Sequence, residues 1–256
     1  MSERSSKTVN ATVNSFQILE KLVTADREMG VTELAESVDL SKGVVHKHLY
    51  TLSELGYVKK QNQRYAPSFG ILEPGDKTRR QYPIYSAARP HVDNLARSTD
   101  EASMLFIEEE GAGIPIYIAT GAGSWSPEYC CGERLPLHTL APGKAILASM
   151  NPHRANDIIS ERSEKPTEQS ITDPDRLRDE LSTIRENGVA FSREEQSTET
   201  VGVAASVSLN ERGPAAAIAV SGPADRLSGR YLEEDITGQV ISTAKSIQVD
   251  LSKSTN

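Results

Sequence analysis

The 256-residue chain is acidic, with 36 Asp/Glu against 28 Lys/Arg and a net charge of −8, and it is long enough to bury a substantial core in one large or two smaller domains. Its two cysteines are adjacent, Cys130 and Cys131, which excludes a disulfide framework and fits a reducing cytoplasm. MSERSSKTVNATV lacks an apolar run of signal-peptide type and no stretch approaches the ~20 apolar residues of a membrane span, so a soluble cytoplasmic protein without a membrane partner is expected.

Residues 1–12 are polar and read as frayed. From Asn14 or Ser15, Phe16, Leu19, Leu22 and Val23 recur at helical spacing with Ile18 alongside, and the run Asp26–Gly30 closes this first helix. Val31–Val38 predicts a second helix with Leu34, Ala35 and Val38 on one face and Thr32 as its cap. Asp39-Leu40-Ser41 turns the chain, with Leu40 plugging the corner. Ser41 caps a third helix whose Val45, Leu49 and Leu52 form an i, i+4, i+7 stripe. At about 100° per residue, Lys42, Gly43, His46, Lys47 and Tyr50 fall on the outer face, with His48 nearer the stripe. A second helix presenting a small, cationic, hydrogen-bonding face suits a DNA major groove, although a helix pair alone reads equally well as a solvated corner.

Gly56 ends the third helix. Tyr57–Lys60 and Arg64–Ala66 read as two strands joined by Gln61-Asn62-Gln63, a wing whose Lys59, Lys60 and Arg64 can lie along phosphates. Charge agrees: residues 1–80 carry 12 Lys/Arg against 10 Asp/Glu, while Ser41–Arg64 holds five cations and only Glu54 as an acid. A local basic face on an acidic chain fits selective DNA binding.

Between residues 67 and 84, Pro67, Pro74-Gly75 and Pro83 are expected to break regular structure and leave an interrupted helical connector. Residues 84–98 read as a helix with Pro90 near a first turn. Strands are expected at Ser103–Ile107, Ile114–Ala119, Ser124–Cys131 and Leu135–Leu137, and helices at Gly143–Met150, Arg154–Ser160 and Asp175–Glu186. Val189–Arg193, Val201–Leu209 and Ala215–Ser221 read as central strands, the last two joined by a turn at Asn210–Pro214. A long helix runs from about Leu232 to Leu251. Strands and helices interleave without strict alternation, which predicts a mixed sheet covered by helices. The expected division is a DNA-binding domain over 8–69 and a second domain over 70–252.

Enzymatic signatures are absent: there is no G-x-S-x-G elbow, H-E-x-x-H, Walker loop or G-x-G-x-x-G. Cys130-Cys131 with His138 lacks zinc-ligand spacing, so the cysteines read as small buried residues at a pocket rim and neither metal nor cofactor is expected.

VTELAESVDLSKGVVHKHLYTLSELGYV, with ARPHVDNLARSTDEASML, LPLHTLAPGKAILAS and ENGVAFSREE…VAASVSL…AIAVSGP, resembles the IclR family of transcriptional regulators along nearly the whole chain. The resemblance implies an α+β protein: an N-terminal winged helix-turn-helix joined by a helical connector to a GAF-like mixed α/β effector-binding domain. It implies a pseudo-palindromic double-stranded operator, self-association as dimers or tetramers, and a small-molecule effector from carbon-source catabolism, a sugar or organic acid. The family's pocket positions fall here on Ala141, Pro142, Ser192, Gly202, Ala219 and Ser221, a roomier and less polar wall than carboxylate-binding relatives have. The competing reading is a metabolite-binding GAF-like protein or enzyme whose helix-turn-helix makes protein contacts only.

Overall fold

A computed structural model describes residues 8–122, 125–160, 164–207 and 215–254. The chain divides into two compact units at Thr78/Arg79.

In the first unit α1 (Asn10–Thr24), α2 (Val31–Ser37) and α3 (Lys42–Glu54) precede a hairpin of β2 (Val58–Gln61) and β3 (Arg64–Pro67). Ile18, Leu22, Leu34, Ala35, Val45, Leu49, Leu52, Val58 and Tyr65 are buried together. Burying Ile18 and Leu22 turns α1 so that Phe16 and Val23, expected inside, face outward. The helix also begins earlier than expected, at Asn10. Thr32 is not the cap of α2. Met29-Gly30 forms a short strand, β1, paired with Tyr65 and Arg64 of β3, and this strand delivers Gly30 to the N-cap. Ser41 does cap α3, its Oγ accepting the Val44 N–H at 3.3 Å. The wing closes on Asn62 and Gln63, both at positive φ (47° and 64°), the two-residue turn whose twist suits a hairpin.

A 3-10 turn at Phe69–Ile71 runs into α4 (Leu72–Arg80), and Pro83 opens α5 (Pro83–Thr99). Pro74-Gly75, expected as a break, lies in the first turn of α4, where a missing N–H forfeits no helical bond. Pro90 lies inside α5 rather than near its start. Burial of Ile84, Tyr85, Ala88, Val92 and Leu95 along that helix outweighs the bond lost at the proline.

The second unit is built on a sheet of β4 (Ala102–Glu109), β5 (Ala112–Ala119), β6 (Leu135–Pro136), β7 (Ala190–Arg193), β8 (Thr200–Val207) and β9 (Ala216–Pro223), in the order β6-β5-β4-β9-β8-β7. Every described pairing is antiparallel, so the expected mixed sheet is corrected. β7 is an edge, not a central strand. Residues 125–131, expected as strand, are irregular; Pro127 interrupts any ladder, and the Gly132 N–H instead reaches the Pro115 carbonyl at 2.9 Å. The turn expected at Asn210–Pro214 lies outside the described residues.

Strand alternation sorts the core into two layers. Leu105, Ile107, Val201, Val203, Ile218 and Val220 face α5 and α9 (Thr237–Ser254). Met104, Phe106, Ala204, Ala217 and Ala219 face α6 (Ala141–Ser149) and α8 (Pro174–Asn187), with α7 (Pro152–Ser160) outside them. Alanines on this second face let α6 lie close to the sheet. Gly143 completes the approach: a Cβ there would fall on the Leu137 carbonyl, within 2.6 Å of the Leu137 Cα. We expect Gly143→Ala to lower stability by about 2 kcal/mol or more through overpacking. Gly238→Ala in α9, where a Cβ meets nothing within 4 Å, should be neutral or stabilise by up to about 1 kcal/mol. Thermal unfolding of the two variants checks the contrast.

Candidate functional site

On α3 the stripe Val45, Leu49, Leu52 is buried and the opposite face is open. Lys42, Gly43, His46, Lys47 and Tyr50 are all exposed, Tyr50 by 62%. The side chains of Lys42, His46, Lys47 and Tyr50 make no hydrogen bond or ion pair within the described residues. Val44, which helical spacing did not single out, stands exposed beside them and gives the face an apolar patch of the kind that meets a thymine methyl. His48 is set apart, its Nδ1 lying 2.8 Å from Ser15 Oγ on α1.

The wing divides its cations. Lys59 and Lys60 are exposed, Lys60 sitting 5.5 Å above the Tyr65 ring centroid. Arg64, expected on phosphate, is instead bound within the unit: it donates to the Glu28 carbonyl at 2.6 Å and to Glu33 at 3.3 Å. Glu33 also takes Arg27, and that hydrogen bond foremost holds its carboxyl below the usual range. Arg64 therefore braces the wing against α2.

In the second unit a cavity of about 610 Å³ opens between the start of α6, the β7–β8 loop and the irregular segment before β6. That volume lies within the usual span of small-molecule sites. Ala141, Pro142, Ser192, Gly202 and Ser221 all line it; Ala219 does not, being fully buried on the face toward α6. Both lie on the same face of β9; Ala219 lies beneath α6, and Ser221, two residues farther along the strand, lies past the start of the helix. Gly202 keeps the floor open: a Cβ there would meet Ser221 Oγ at 2.7 Å and Ala141 at 3.6 Å. Ser192 Oγ donates to the Thr139 carbonyl at 2.8 Å, leaving its lone pairs toward the cavity. The sequence reading missed Trp125, Tyr129 and the loop residues Gln196–Thr200, which supply much of the wall.

Behind α6 lies a group the sequence reading passed over. Lys144 is fully buried, with its Nζ donating to both Glu195 oxygens at 2.8 and 2.9 Å and to Glu180 at 2.6 Å. Burial raises the Glu195 carboxyl above its usual range, opposed by the Lys144 charge and hydrogen bond. The lysine pins the loop that walls the cavity to α6 and α8. A lone cation inside the otherwise apolar run LAPGKAILA was the available signal. Cys130 and Cys131 are exposed, not buried as expected, because their segment is irregular and lies over the surface. His138 is buried on the Glu164 carbonyl at 2.9 Å, and no cluster of metal-ligating side chains occurs among the described residues.

A winged helix-turn-helix with an open cationic face, carried on the same chain as an α/β unit with an internal cavity, defines a ligand-responsive DNA-binding regulator. Residues 77–249 match the model of the bacterial transcriptional regulator IclR C-terminal domain and residues 11–62 match the IclR helix-turn-helix domain; the chain belongs to the IclR family of transcriptional regulators. It is 29% identical to the "Probable HTH-type transcriptional regulator ArcR" of Halobacterium salinarum, over 95% of this chain and 94% of that one. The crystal structure of Thermotoga maritima IclR superposes with a TM-score of 0.83 at 26% identity, covering 94% and 98% of the two chains. An IclR homolog from Microbacterium hydrocarbonoxydans complexed with 4-hydroxybenzoate shares the fold at a TM-score of 0.78 and 16% identity, covering 95% and 99%.

Replacing Lys144 by Met leaves two carboxylates facing each other without their cation, at an expected cost of about 3–5 kcal/mol. An acid raised on folding contributes stability below its unfolded pKa and loses it as pH rises through the folded value. The defect in Lys144→Met should therefore shrink on acidification toward the ordinary carboxylate range, and denaturant titrations across that window measure it.

Proposed function

We propose that this regulator binds a pseudo-palindromic operator through two copies of α3, as a dimer or a dimer of dimers, under control of a small catabolic metabolite held in the second unit. The observation that carries the reading is the outer face of α3, whose polar side chains are exposed and uncommitted while its inner face is buried. Lys42, His46, Lys47 and Tyr50 reach base edges and phosphates, and Gly43 lets the backbone approach closely. Lys59 and Lys60 contact phosphate. The DNA-binding domain spans 8–69 and the effector domain 70–252, with 67–84 between them.

Effector binding acts by favouring one spacing of the paired recognition helices, because half-site separation is fixed by DNA geometry. That an IclR homolog of Microbacterium hydrocarbonoxydans is complexed with 4-hydroxybenzoate supports a small-molecule effector for this regulator. The exposed, uncommitted outer face of α3 favours a regulator over an enzyme.

A DNA fragment from upstream of the protein's own coding sequence should be retarded in a mobility shift, and loss of that shift by every fragment tested would sink the reading. Lys47→Ala should weaken the specific complex by about 1–3 kcal/mol if its ammonium reads a base, measured at fixed salt. Lys59→Ala should instead lower the slope of log affinity against log salt by about 1 while sparing sequence preference.

A further inference from the structure

We propose that the effector carries a positive charge, an amine or guanidinium group seated at the mouth of the cavity. The inference rests on the effector pocket proposed above and names what it selects. Charge is the first ground. The ionisable side chains lining the cavity are Glu128, Glu133 and Glu199, with no Lys, Arg or His among the described lining residues. The Glu128 and Glu199 carboxylates have no partner within the described residues, and Glu133 receives only the Cys130 N–H at 3.1 Å. A carboxylate ligand would meet three like charges without a cation to pair it, whereas an ammonium finds its counter-ions in place.

The wall gives a second ground. Trp125 and Tyr129 stand on the same segment as Glu128 and Glu133. The Tyr129 hydroxyl is turned away onto Met104 Sδ at 3.0 Å, so the residue offers the cavity its ring. Aromatic faces beside carboxylates attract cations through the ring quadrupole.

A third observation lies at the floor. Ser221 is only 8% exposed and lines the cavity, yet its hydroxyl has no hydrogen-bond partner within the described residues. The hydroxyl opens to the cavity and is free to pair with what enters it. A ligand with a polar group at the end opposite its charge satisfies it.

Three probes that differ at one terminus test the assignment on the full-length protein: 5-aminopentan-1-ol, 1,5-pentanediol and 5-hydroxypentanoate. The amine should raise the thermal midpoint saturably, half-saturating at a concentration about tenfold or more below the diol, and the carboxylate should give no shift. The double substitution Glu128→Gln/Glu133→Gln should weaken the amine by a similar factor, since glutamine retains an oxygen for the Cys130 N–H. Glu168→Gln, which removes an exposed acid paired with Lys165, should leave the response unchanged.

A carboxylate response matching the amine's, equal stabilisation by the diol, no saturable response to any probe, or an amine response untouched by the double substitution overturns the assignment. Operator binding by the same preparation without probe is scored separately, so failure of the charge assignment is distinguishable from failure of the regulator reading.

Discussion

The second unit depends on a cation with no access to water. Lys144 lies between Glu195 and Glu180, and each partner belongs to a different element: α6, the loop after β7, and α8. Two carboxylates and one ammonium in a buried space hold together only while all three remain in register. Around this point the backbone takes conformations it would otherwise avoid. Glu194 and Glu199 adopt positive φ (59° and 60°) at the two ends of the loop, and Thr167 and Ser170 hydroxyls bond its carbonyls at 2.6 and 2.7 Å. Gly143 lets the first turn of α6 rest on the Leu137 backbone, which brings Ala141 and Pro142 to the cavity. The wall from β7 to β8 is thus fixed from behind, and the shape of the site is set by charges the ligand never touches.

What the sequence made legible follows from periodicity. The i, i+4, i+7 stripe of α3, its Ser41 cap and the two-strand wing are local patterns, and they occur where local rules place them. Short apolar runs marked β4, β5, β8 and β9, but which residue of a run reaches the cavity depends on how far α6 extends over the sheet: Ala219 is covered by it and Ser221, on the same face, is not. The misreadings share a different cause. Thr32 lost the cap because Met29 and Gly30 pair with Tyr65 and Arg64, far along the chain. Phe16 and Val23 face outward because α1 is oriented by α3, not by its own hydrophobicity. Pro90 and Pro74-Gly75 sit in helices because packing or position in the first turn removes their usual penalty. Lys144 could not be assigned a role, since both of its partners lie more than 30 residues away.

Arg64 shows how a correct class assignment can mislead about one residue. A cation on a wing strand is the expected phosphate ligand, yet its neighbours decide. The Glu28 carbonyl, just before β1, and the Glu33 carboxylate, in the first turn of α2, both take the guanidinium. The residue ties the wing strand to the start of α2, so its neighbours give it a structural role that its place on a wing strand did not announce.

The division of charge along the chain completes the argument. Residues 81–256 carry 16 Lys/Arg against 26 Asp/Glu, so the larger unit repels the same polyanion that α3 and the wing approach. With Arg64 engaged by Glu28 and Glu33, the exposed lysines of α3 and the wing are Lys42, Lys47, Lys59 and Lys60. The sequence-independent term scales with the number of phosphates neutralised and falls steeply with salt; here it is small and opposed by the rest of the molecule. On the paired arrangement proposed above, affinity comes chiefly from groove contacts made by two recognition helices at once, and a change in their separation removes most of it. Under that proposal the acidic charge of the second unit serves regulation: with non-specific attraction kept low, occupancy of the operator depends on the spacing that the effector is proposed to control.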